Sequence, residues 1–267
     1  MFWKMVQAWL PAYELDFDSL KPDDLYTPKS GKVIQATNIK TRELVYIRFI
    51  PLPEGAMERQ CIERLVTMYD EDDCPIVVPI DEMREFQGTF DGQLATGVCF
   101  IMHALKRHWL DDLLRGQQAP RSSVTANDVL RTTTRVLQIG RRLEMASVVH
   151  GDIVAQNILG EGEGLVLIDL DNGQCGPDVT SQDHRRDAYG LGNFLKSCFT
   201  AANQLPVVTH HFPVLLEIIQ QMTAEENMRM RASAAWTLWE DTLPVYTPLP
   251  LDDWETTCVQ VPYPIFT

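Results

Sequence analysis

The first third of the chain carries short runs of β-branched and apolar residues. Residues 32–38 (KVIQATN) and 43–50 (ELVYIRFI) are two such runs with a short polar stretch between them, which predicts a β-hairpin. Two later runs, residues 75–83 and 97–105, predict two more strands, and residues 84–93 predict the loop between them. The pattern therefore indicates a small antiparallel β-sheet.

One helix is predicted among these strands. In residues 54–72, the side chains of Met57, Cys61, Leu65 and Met68 recur at spacings of four, four and three residues. This is the period of one apolar face of a helix. We therefore expect a single helix inside the β-rich part of the chain.

Helical patterns replace strand patterns from about Lys106 onwards. The predicted helices are residues 108–116, 123–146, 183–202, 212–223 and 232–242. The segment from Pro244 is rich in proline, which predicts an extended tail along the surface.

These elements predict an α+β fold in two parts. A small β-rich lobe spans residues 1–102, a linker spans 103–105, a larger helical lobe spans 106–243, and the proline-rich tail spans 244–267. A chain of 267 residues is long enough to bury a sizeable core. A cleft between two such lobes is a natural place for a ligand.

Residues 148–173 hold the candidate chemistry. Two short apolar runs, residues 157–159 and 165–168, are joined by a glycine-rich turn, which predicts a second hairpin. Folding that hairpin brings Asn157 and Asp169 together at its open end. Their amide and carboxylate oxygens suit a hard cation, most naturally Mg²⁺ that holds phosphates.

Asp152 lies five residues before Asn157, in the loop that leads into this hairpin. From there its carboxylate can orient an attacking hydroxyl group or accept its proton. A structural interpretation stays open as well, in which Asn157 and Asp169 only cap the turns of an acidic hairpin.

Composition and charge narrow the classes of partner. The formal net charge of −14 argues against nucleic acid, which needs basic patches, and suits either simple solubility or a basic protein partner. No apolar run reaches the roughly 18 residues that span a bilayer. The six cysteines show no metal-ligand spacing. We therefore expect a cytoplasmic protein with reduced thiols and no membrane segment.

The first 11 residues (MFWKMVQAWLP) form a short apolar segment. Lys4 lies inside it and no small-residue cleavage site follows, so a secretory signal is not expected. Two interpretations stay open, namely an amphipathic helix that packs on the domain and a segment that binds a partner.

Several motifs follow one another in the order typical of one superfamily. They are SGKVIQATN (30–38), VYIR (45–48), HGDIVAQN (150–157), IDLD (168–171), RDAYGLG (186–192) and ENMRMRASAAW (226–236). HGDIVAQN resembles the catalytic loop, and IDLD the Asp-Phe-Gly segment, of the protein-kinase-like superfamily, which includes aminoglycoside and choline-type kinases. The resemblance covers about residues 20–240 and implies a bilobal kinase-like fold.

The resemblance also implies roles for individual residues, with ATP and Mg²⁺ as cofactors. Asp152 becomes the catalytic base or orienting carboxylate, and Asn157 and Asp169 become the Mg²⁺ ligands. Arg48 takes the place of the Val-Ala-Ile-Lys lysine, and Glu63 takes that of its ion-pair partner near the phosphates.

The remaining nucleotide contacts follow from the same resemblance. Gly31 and Val33 correspond to the end of the Gly-rich loop and the strand after it. Met102 falls at the gatekeeper place, and His103 to Leu105 form the hinge that meets the adenine. Asp187 would brace the 150–157 loop through hydrogen bonds to its backbone.

The chain departs from the kinase pattern at several positions. Tyr26 and Pro28 replace the first two glycines of the Gly-rich loop, and Arg48 replaces the lysine. Val154 stands where protein kinases carry a lysine that contacts the transferred phosphate. Because Ala-Pro-Glu is absent as well, Arg231 must find a partner other than the glutamate of that motif.

Three functions are compatible with these residues. The retained Asp152, Asn157 and Asp169 favour an ATP- and Mg²⁺-dependent phosphotransferase of the protein-kinase type that acts on Ser or Thr of a protein. His-Gly-Asp also fits a small-molecule kinase. The departures around Tyr26 and Arg48 fit a pseudokinase that acts as a binding or scaffold module.

Overall fold

The computed structural model describes residues 2–19, 32–52, 55–67, 76–90, 93–105, 110, 126–160, 164–201 and 212–246. Gly31 of the predicted Gly-rich loop lies outside these residues, as do Tyr26, Pro28 and the tail from residue 247. Within the described residues, the chain has an α+β fold with six α-helices, a five-stranded antiparallel sheet and two short two-stranded sheets.

The five-stranded sheet is formed by the N-terminal part of the chain. Its strands are β1 (Tyr13–Leu15), β2 (Lys32–Asn38), β3 (Leu44–Leu52), β4 (Ile80–Phe90) and β5 (Gln93–His103). They lie in the order β1-β2-β3-β5-β4, and all neighbours are antiparallel. The predicted first hairpin is confirmed, and its register places Val33 opposite Arg48. On the other side of β3, Tyr46 lies opposite Met102.

The β4–β5 hairpin is longer than the sequence pattern predicted. Residues 84–90, predicted as part of a loop, continue β4. Phe86 explains the difference, because it is buried between exposed neighbours, as expected for a strand with one face on the core. Its ring packs edge-on against Trp9 and Phe49, at centroid distances of 5.3 and 5.5 Å.

Helix α1 (Phe2–Trp9) covers one face of the sheet. Val6 and Leu10 are fully buried there, in one apolar cluster with Ile34 and Ile47 of the sheet. This confirms the interpretation of the N-terminal segment as an amphipathic helix that packs on the domain.

Helix α2 (Ala56–Thr67) is the helix predicted within the β-rich part. Cys61, Ile62 and Leu65 are buried in a hydrophobic core that continues into the helical part of the chain. Met57, which the spacing placed on the same face, is exposed, because the buried face is centred near Cys61 and Ile62.

The helical part contains four long helices within the described residues. They are α3 (Ala126–Met145), α4 (Ser181–Ala201), α5 (Pro213–Met222) and α6 (Ala232–Tyr246). Each agrees with a predicted helix to within a few residues. Helix α6 runs to Tyr246, so the first three residues of the predicted tail are helical. Of the predicted helix at 108–116, only Leu110 is described, and it is buried.

Residues 148–173, which hold the candidate chemistry, lie between α3 and α4, where the chain forms the two short two-stranded sheets. Strand β6 (Val148–Val149) pairs with β9 (Gln174–Cys175), and β7 (Ile158–Leu159) pairs with β8 (Val166–Leu167). The β7–β8 pair confirms the second predicted hairpin. Val77 forms a parallel bridge to Leu167. The sequence pattern predicted that the stretch before Ile80 is the start of β4. In the structure this stretch contacts the β7–β8 hairpin instead.

The sequence analysis predicted reduced thiols and no membrane segment, and the described residues bear on both predictions. No helix among them is long and apolar enough to cross a membrane. Cys61, Cys99, Cys175 and Cys198 are free thiols. The remaining two cysteines lie outside the described residues.

Gly140 lets α3 approach α4 and α6 closely, and we expect Gly140→Ala to destabilise the fold. A Cβ there would overlap Cβ of Ala232 and lie 2.6 Å from Cδ1 of Leu191. Such overpacking costs about 1–3 kcal/mol of the free energy of unfolding, whereas alanine gains at most about 1 kcal/mol in a helix. Urea unfolding measures the difference. Gly164→Ala, with nothing within 4 Å of the added Cβ, is the matched control. Equal stability of Gly140→Ala and wild type would contradict this account of the packing.

Candidate functional site

The carboxylate of Asp187 holds the loop of residues 150–157 in place. Its Oδ2 accepts the backbone N–H of His150 at 2.7 Å, and its Oδ1 accepts that of Gly151 at 3.0 Å. Asp187 projects from α4 and is 4% exposed. The bracing contact implied by the resemblance is therefore present.

Gly151 is required by the backbone of this loop. Its φ is +81°, in the left-handed region that L side chains rarely adopt. A Cβ at this position would also lie 2.6 Å from the carbonyl oxygen of Asn172. Both constraints select glycine for the middle position of His-Gly-Asp.

His150 connects the loop to the chain just before Asp169. Its Nε2 lies 2.8 Å from the carbonyl oxygen of Ile168, and its Nδ1 accepts the backbone N–H of Asp152 at 3.3 Å. A carbonyl can only accept, so this geometry assigns the proton to Nε2 and makes the imidazole neutral. Burial lowers the pKa of His150, which also favours the neutral ring.

Asp152 lies in the loop that leads into the hairpin, as predicted, and there it contacts Asn157. The Asn157 Nδ2 donates to the backbone oxygen of Asp152 at 2.9 Å and to its Oδ2 at 3.3 Å. Asn157 is buried, whereas Asp152 is exposed. The backbone N–H of Ile168 donates to the Asn157 carbonyl at 2.9 Å, which aligns the residue before Asp169 with Asn157 across the hairpin. The result is a fixed loop with an accessible carboxylate.

Arg48 lies at the centre of a group of carboxylates. Its Nη2 donates to Oδ1 of Asp169 at 2.9 Å and to Oδ1 of Asp171 at 3.4 Å. Its Nε lies 2.6 Å from Oε1 of Glu58. Arg48 is 7% exposed, so these ion pairs are shielded from water on the arginine side. They join β3, α2 and the segment after β8.

Glu63 was predicted as the partner of Arg48, and this prediction is wrong. Glu58 is the partner, and Glu63 instead pairs with Arg59 at 2.7 Å. The helix phase explains the difference, since Glu58 shares the buried face of α2 with Cys61 whereas Glu63 points away from it.

The contact between Arg48 and Glu58 is an ion pair whose hydrogen-bond geometry is poor. Although the two atoms are close, the Arg48 Nε–H is not aligned with the oxygen, and both carboxylate oxygens of Glu58 are buried without a hydrogen bond among the described residues. Burial raises the pKa of Glu58, and the charge of Arg48 offsets this only in part. Glu58 therefore depends on Arg48 for its counter-charge.

Asp169 and Asp171 share one environment, but their pKa values are shifted in opposite directions. Burial alone would raise the pKa of Asp169, but the hydrogen bond with Asp171 and the charge of Arg48 lower it overall. The pKa of Asp171 is raised, first by the hydrogen bond with Asp169 and then by burial. Asp169 consequently carries the negative charge that faces Arg48. Its φ of +68° is unusual for a residue other than glycine and marks a locally strained backbone.

A cleft of about 280 Å³ opens beside this cluster. The predicted contact residues that line it are Val33, Arg48, Met102, His103, Leu105 and Asp169. Glu63 does not line it, and Gly31 lies outside the described residues. The cleft is thus apolar over most of its lining and charged at the end where Arg48, Glu58 and Asp169 meet.

Sequence reasoning missed several residues of the cleft. Tyr46, Val77, Ile80 and Leu159 line it in addition to the predicted contacts. The position of Tyr46 follows from the register of β3, because it lies two residues before Arg48 on the same side of the strand. Val77 could not be placed from its local pattern, since the bridge to Leu167 is what brings it there.

A second, open depression of about 480 Å³ adjoins Asp152. Its lining combines loop residues such as Val154 and Gln156 with Tyr189 and Asn193 of α4. Ile168 and Asp169 line the first cleft and Asp152 lines the second, so His150 spans the region between them.

Arg231 was expected to need a partner other than the glutamate of the absent Ala-Pro-Glu motif, and this partner is Glu144. Its Nε and Nη2 donate to Oε2 of Glu144 at 3.1 and 2.8 Å, and the backbone N–H of Ser233 donates to the other oxygen of that carboxylate at 3.3 Å. Glu144 belongs to α3, so this contact ties the start of α6 to α3.

The predicted Mg²⁺ ligands, Asn157 and Asp169, each make a side-chain contact in the present arrangement. Mg²⁺ requires near-octahedral oxygen ligands. Arg48 donates to Oδ1 of Asp169, and Asn157 contacts Asp152 through its Nδ2, so these contacts do not occupy the second oxygen of Asp169 or the amide oxygen of Asn157. Among the described residues, no group of three or more His, Cys, Asp or Glu side chains could hold a metal ion.

Comparisons with known proteins add no assignment. No protein-family model matches the chain, and no curated protein matches it either. A functional assignment therefore has to come from the geometry of the site.

We expect Arg48→Met to lower the free energy of unfolding by about 3–5 kcal/mol, because it leaves the buried Glu58 without a counter-charge. Arg59→Met is the matched control. Its ion pairs with Glu63 and Glu85 are half-exposed or exposed and are worth about 0–1 kcal/mol each. Denaturant unfolding followed by circular dichroism measures both losses. Similar losses for the two variants would show that the Arg48 cluster contributes little to stability.

Asp187 should make stability depend on pH in an unusual direction. Burial raises the pKa of Asp187 to about 6, well above the usual range of an aspartate, although the two backbone donors favour the carboxylate. The folded state then binds more protons than the unfolded state between about pH 4 and pH 6. The stability contributed by Asp187 therefore falls as pH rises through this window, by about 3 kcal/mol in total, and stays constant above it.

Comparison with Asp187→Asn isolates this effect. Asparagine lacks one of the two acceptor oxygens, which costs stability at every pH, but it does not titrate. The stability of wild type minus that of Asp187→Asn, from urea unfolding, should decrease between about pH 4 and pH 6. A difference that is independent of pH would refute the raised pKa.

Proposed function

We propose that the chain binds ATP in the cleft and transfers its γ-phosphoryl group to a Ser or Thr hydroxyl of a protein. One observation carries this proposal. The exposed carboxylate of Asp152 accepts a hydrogen bond from Asn157, and the backbone N–H of Asp152 is linked through His150 to the carbonyl of Ile168, which lines the cleft. A positioned, accessible carboxylate next to a ligand-sized cleft is the arrangement that phosphoryl transfer to a hydroxyl needs.

The lining of the cleft suits a nucleotide. Its apolar part, which includes Val33, Met102 and Leu159, offers flat contacts for a purine ring. At the charged end, Arg48 can pair with phosphate oxygens through its planar fork. The two-lobed arrangement of protein kinases, with the sheet on one side of the nucleotide and the helices on the other, is part of this proposal.

The transfer step assigns one role to each group. The acceptor hydroxyl would lie in the depression beside Asp152, and its oxygen would attack the γ-phosphorus. The bond from that phosphorus to the β–γ bridging oxygen breaks, ADP leaves, and Asp152 accepts the hydroxyl proton. Arg48 offsets negative charge on the phosphates. The net charge of −14 favours a basic protein as the acceptor.

A second candidate function is a nucleotide-binding module without catalysis. The contact of 2.9 Å between Arg48 and Asp169 supports it, because the carboxylate that was predicted to bind Mg²⁺ is already paired with a positive charge. Val154 adds support, since it puts an apolar side chain where protein kinases carry a phosphate-contacting lysine. In this version, ligand binding would stabilise one conformation that a partner protein recognises.

Two measurements test these proposals in sequence. ATP should raise the melting temperature of the purified chain, because a ligand that binds only the folded state stabilises it. Transfer of radiolabelled phosphate from ATP to a basic protein should then fall by about 10²–10⁴-fold in Asp152→Asn, the usual contribution of a general base. Asp178→Asn, at an exposed position outside both cavities, is the matched control.

The outcomes separate the two functions. Transfer that is equal in wild type and Asp152→Asn would rule out the proposed role of Asp152. A thermal shift with ATP but without transfer would favour the binding module. The absence of any shift with ATP would remove both proposals.

A further inference from the structure

Two thiols outside the candidate site meet where α2 packs against β9. Cys61 belongs to α2 and is fully buried, whereas Cys175 belongs to β9 and is half-buried. Both are free thiols, and they come from distant parts of the sequence. A pair of this kind, with one protected and one accessible sulfur, is a candidate for reversible oxidation.

The sulfur of Cys175 lies against one side of α2. Its Sγ is 3.7 Å from Sδ of Met57 and 3.9 Å from Oε1 of Gln60. Met57, Gln60 and Cys61 are neighbours on the helix surface, because they occupy positions i, i+3 and i+4. The Cys175 thiol is thus directed at the turn of α2 that carries Cys61.

The two thiols also act on each other. Burial raises the pKa of the Cys61 thiol, and the contact with the Cys175 thiol raises it further. Cys61 therefore stays protonated, and Cys175 is the sulfur that an oxidant in solution reaches first.

The backbone holds the two cysteines side by side. Cys175 pairs with Val148 in the β6–β9 sheet. Two residues earlier, Gly173 passes so close to α2 that a Cβ there would lie 3.3 Å from Sγ of Cys61. The N–H of Gly173 also donates to the carbonyl of Leu170 at 2.8 Å, which fixes the turn before β9.

We propose that Cys61 and Cys175 are an oxidation site, at which a disulfide forms and fixes α2 against the segment that follows Asp171. This inference does not depend on nucleotide binding or phosphoryl transfer. Glu58 lies three residues before Cys61, Asp171 lies four residues before Cys175, and both carboxylates contact Arg48. The bond joins the two elements that supply these carboxylates to the charged end of the cleft.

Hydrogen peroxide is an oxidant that suffices for this reaction. The sulfur of Cys175 attacks one peroxide oxygen, the O–O bond breaks, and a sulfenic acid and one water form. The sulfur of Cys61 then attacks the sulfur of Cys175, and the S–O bond breaks. The departing hydroxide takes the proton of Cys61 and leaves as a second water. Two thiols thus lose two electrons in total, and the peroxide gains them.

Peptide mapping tests the bond directly. The reduced full chain is treated with excess hydrogen peroxide, the remaining thiols are blocked with N-ethylmaleimide in denaturant, and the digest is analysed by mass spectrometry without reductant. We expect a linked pair of peptides that contains Cys61 and Cys175, and dithiothreitol should separate the pair. The buried Cys99 and Cys198 should carry the maleimide instead.

The melting temperature tests whether the bond fixes α2. After peroxide treatment, the melting temperature of wild type should exceed that of Cys175→Ala treated in the same way by about 5–10 °C, because the disulfide closes a loop of about 100 residues in the unfolded chain. Before treatment, circular dichroism establishes that each variant is folded. Cys99→Ala removes a buried thiol on β5 and is the matched control, which should retain both the linked peptides and the rise.

Three outcomes would contradict the proposal. Recovery of Cys61 and Cys175 as two maleimide adducts after peroxide treatment would show that no bond forms. Oxidation of Cys175 to the sulfinic acid while Cys61 stays a thiol would show that the two sulfurs do not reach each other. Linked peptides without a rise in melting temperature would overturn the role of the bond in fixing α2.

Discussion

The buried charge of Arg48 is the constraint on which the candidate site depends. An arginine that is 7% exposed must be paired, because an isolated charge is very costly to remove from water. This requirement orients Glu58 inward from α2 and draws Asp169 and Asp171 towards β3. Three segments that are distant in the sequence thereby adopt one geometry at the charged end of the cleft.

A second network positions the 150–157 loop. Asp187 of α4 accepts hydrogen bonds from two backbone N–H groups of this loop. The neutral ring of His150 links Asp152 to Ile168. The two networks meet between Ile168 and Asp169, where the strained φ of +68° turns the carboxylate towards Arg48. The loop carboxylate and the guanidinium are therefore positioned by different parts of the fold and can be perturbed separately.

The sequence predicted most clearly those features that depend on short-range spacing. The β7–β8 hairpin and the contact of Asp187 with the loop both followed from motifs whose members lie within a few dozen residues. These motifs constrain the local backbone strongly. The fold class and the long helices followed from apolar periodicity, which reports directly on which face is buried.

The features that escaped prediction depend on helix phase or on distant contacts. To predict Glu58 rather than Glu63 as the partner of Arg48, one has to know how α2 is rotated about its own axis. The two glutamates are five residues apart, and motif spacing alone does not resolve which of them faces Arg48. The contact of Arg48 with Asp169 joins residues 121 positions apart, and no local pattern encodes it. The strand through Phe86 was missed because its polar neighbours resemble a loop until the packing against Trp9 is known.

The bridge between Val77 and Leu167 has a practical consequence for dividing the chain into fragments. The backbone N–H of Leu167 donates to the carbonyl of Ile76 at 2.8 Å, and the buried side chains of residues 76–78 lie where the sheet and the β7–β8 hairpin meet. A fragment that stops at the 103–105 linker would leave this apolar stretch and the adjoining face of the sheet uncovered. Such exposed patches promote aggregation. The linker is thus a boundary in topology but a poor place to cut, and the sheet and the helices should be expressed as one piece.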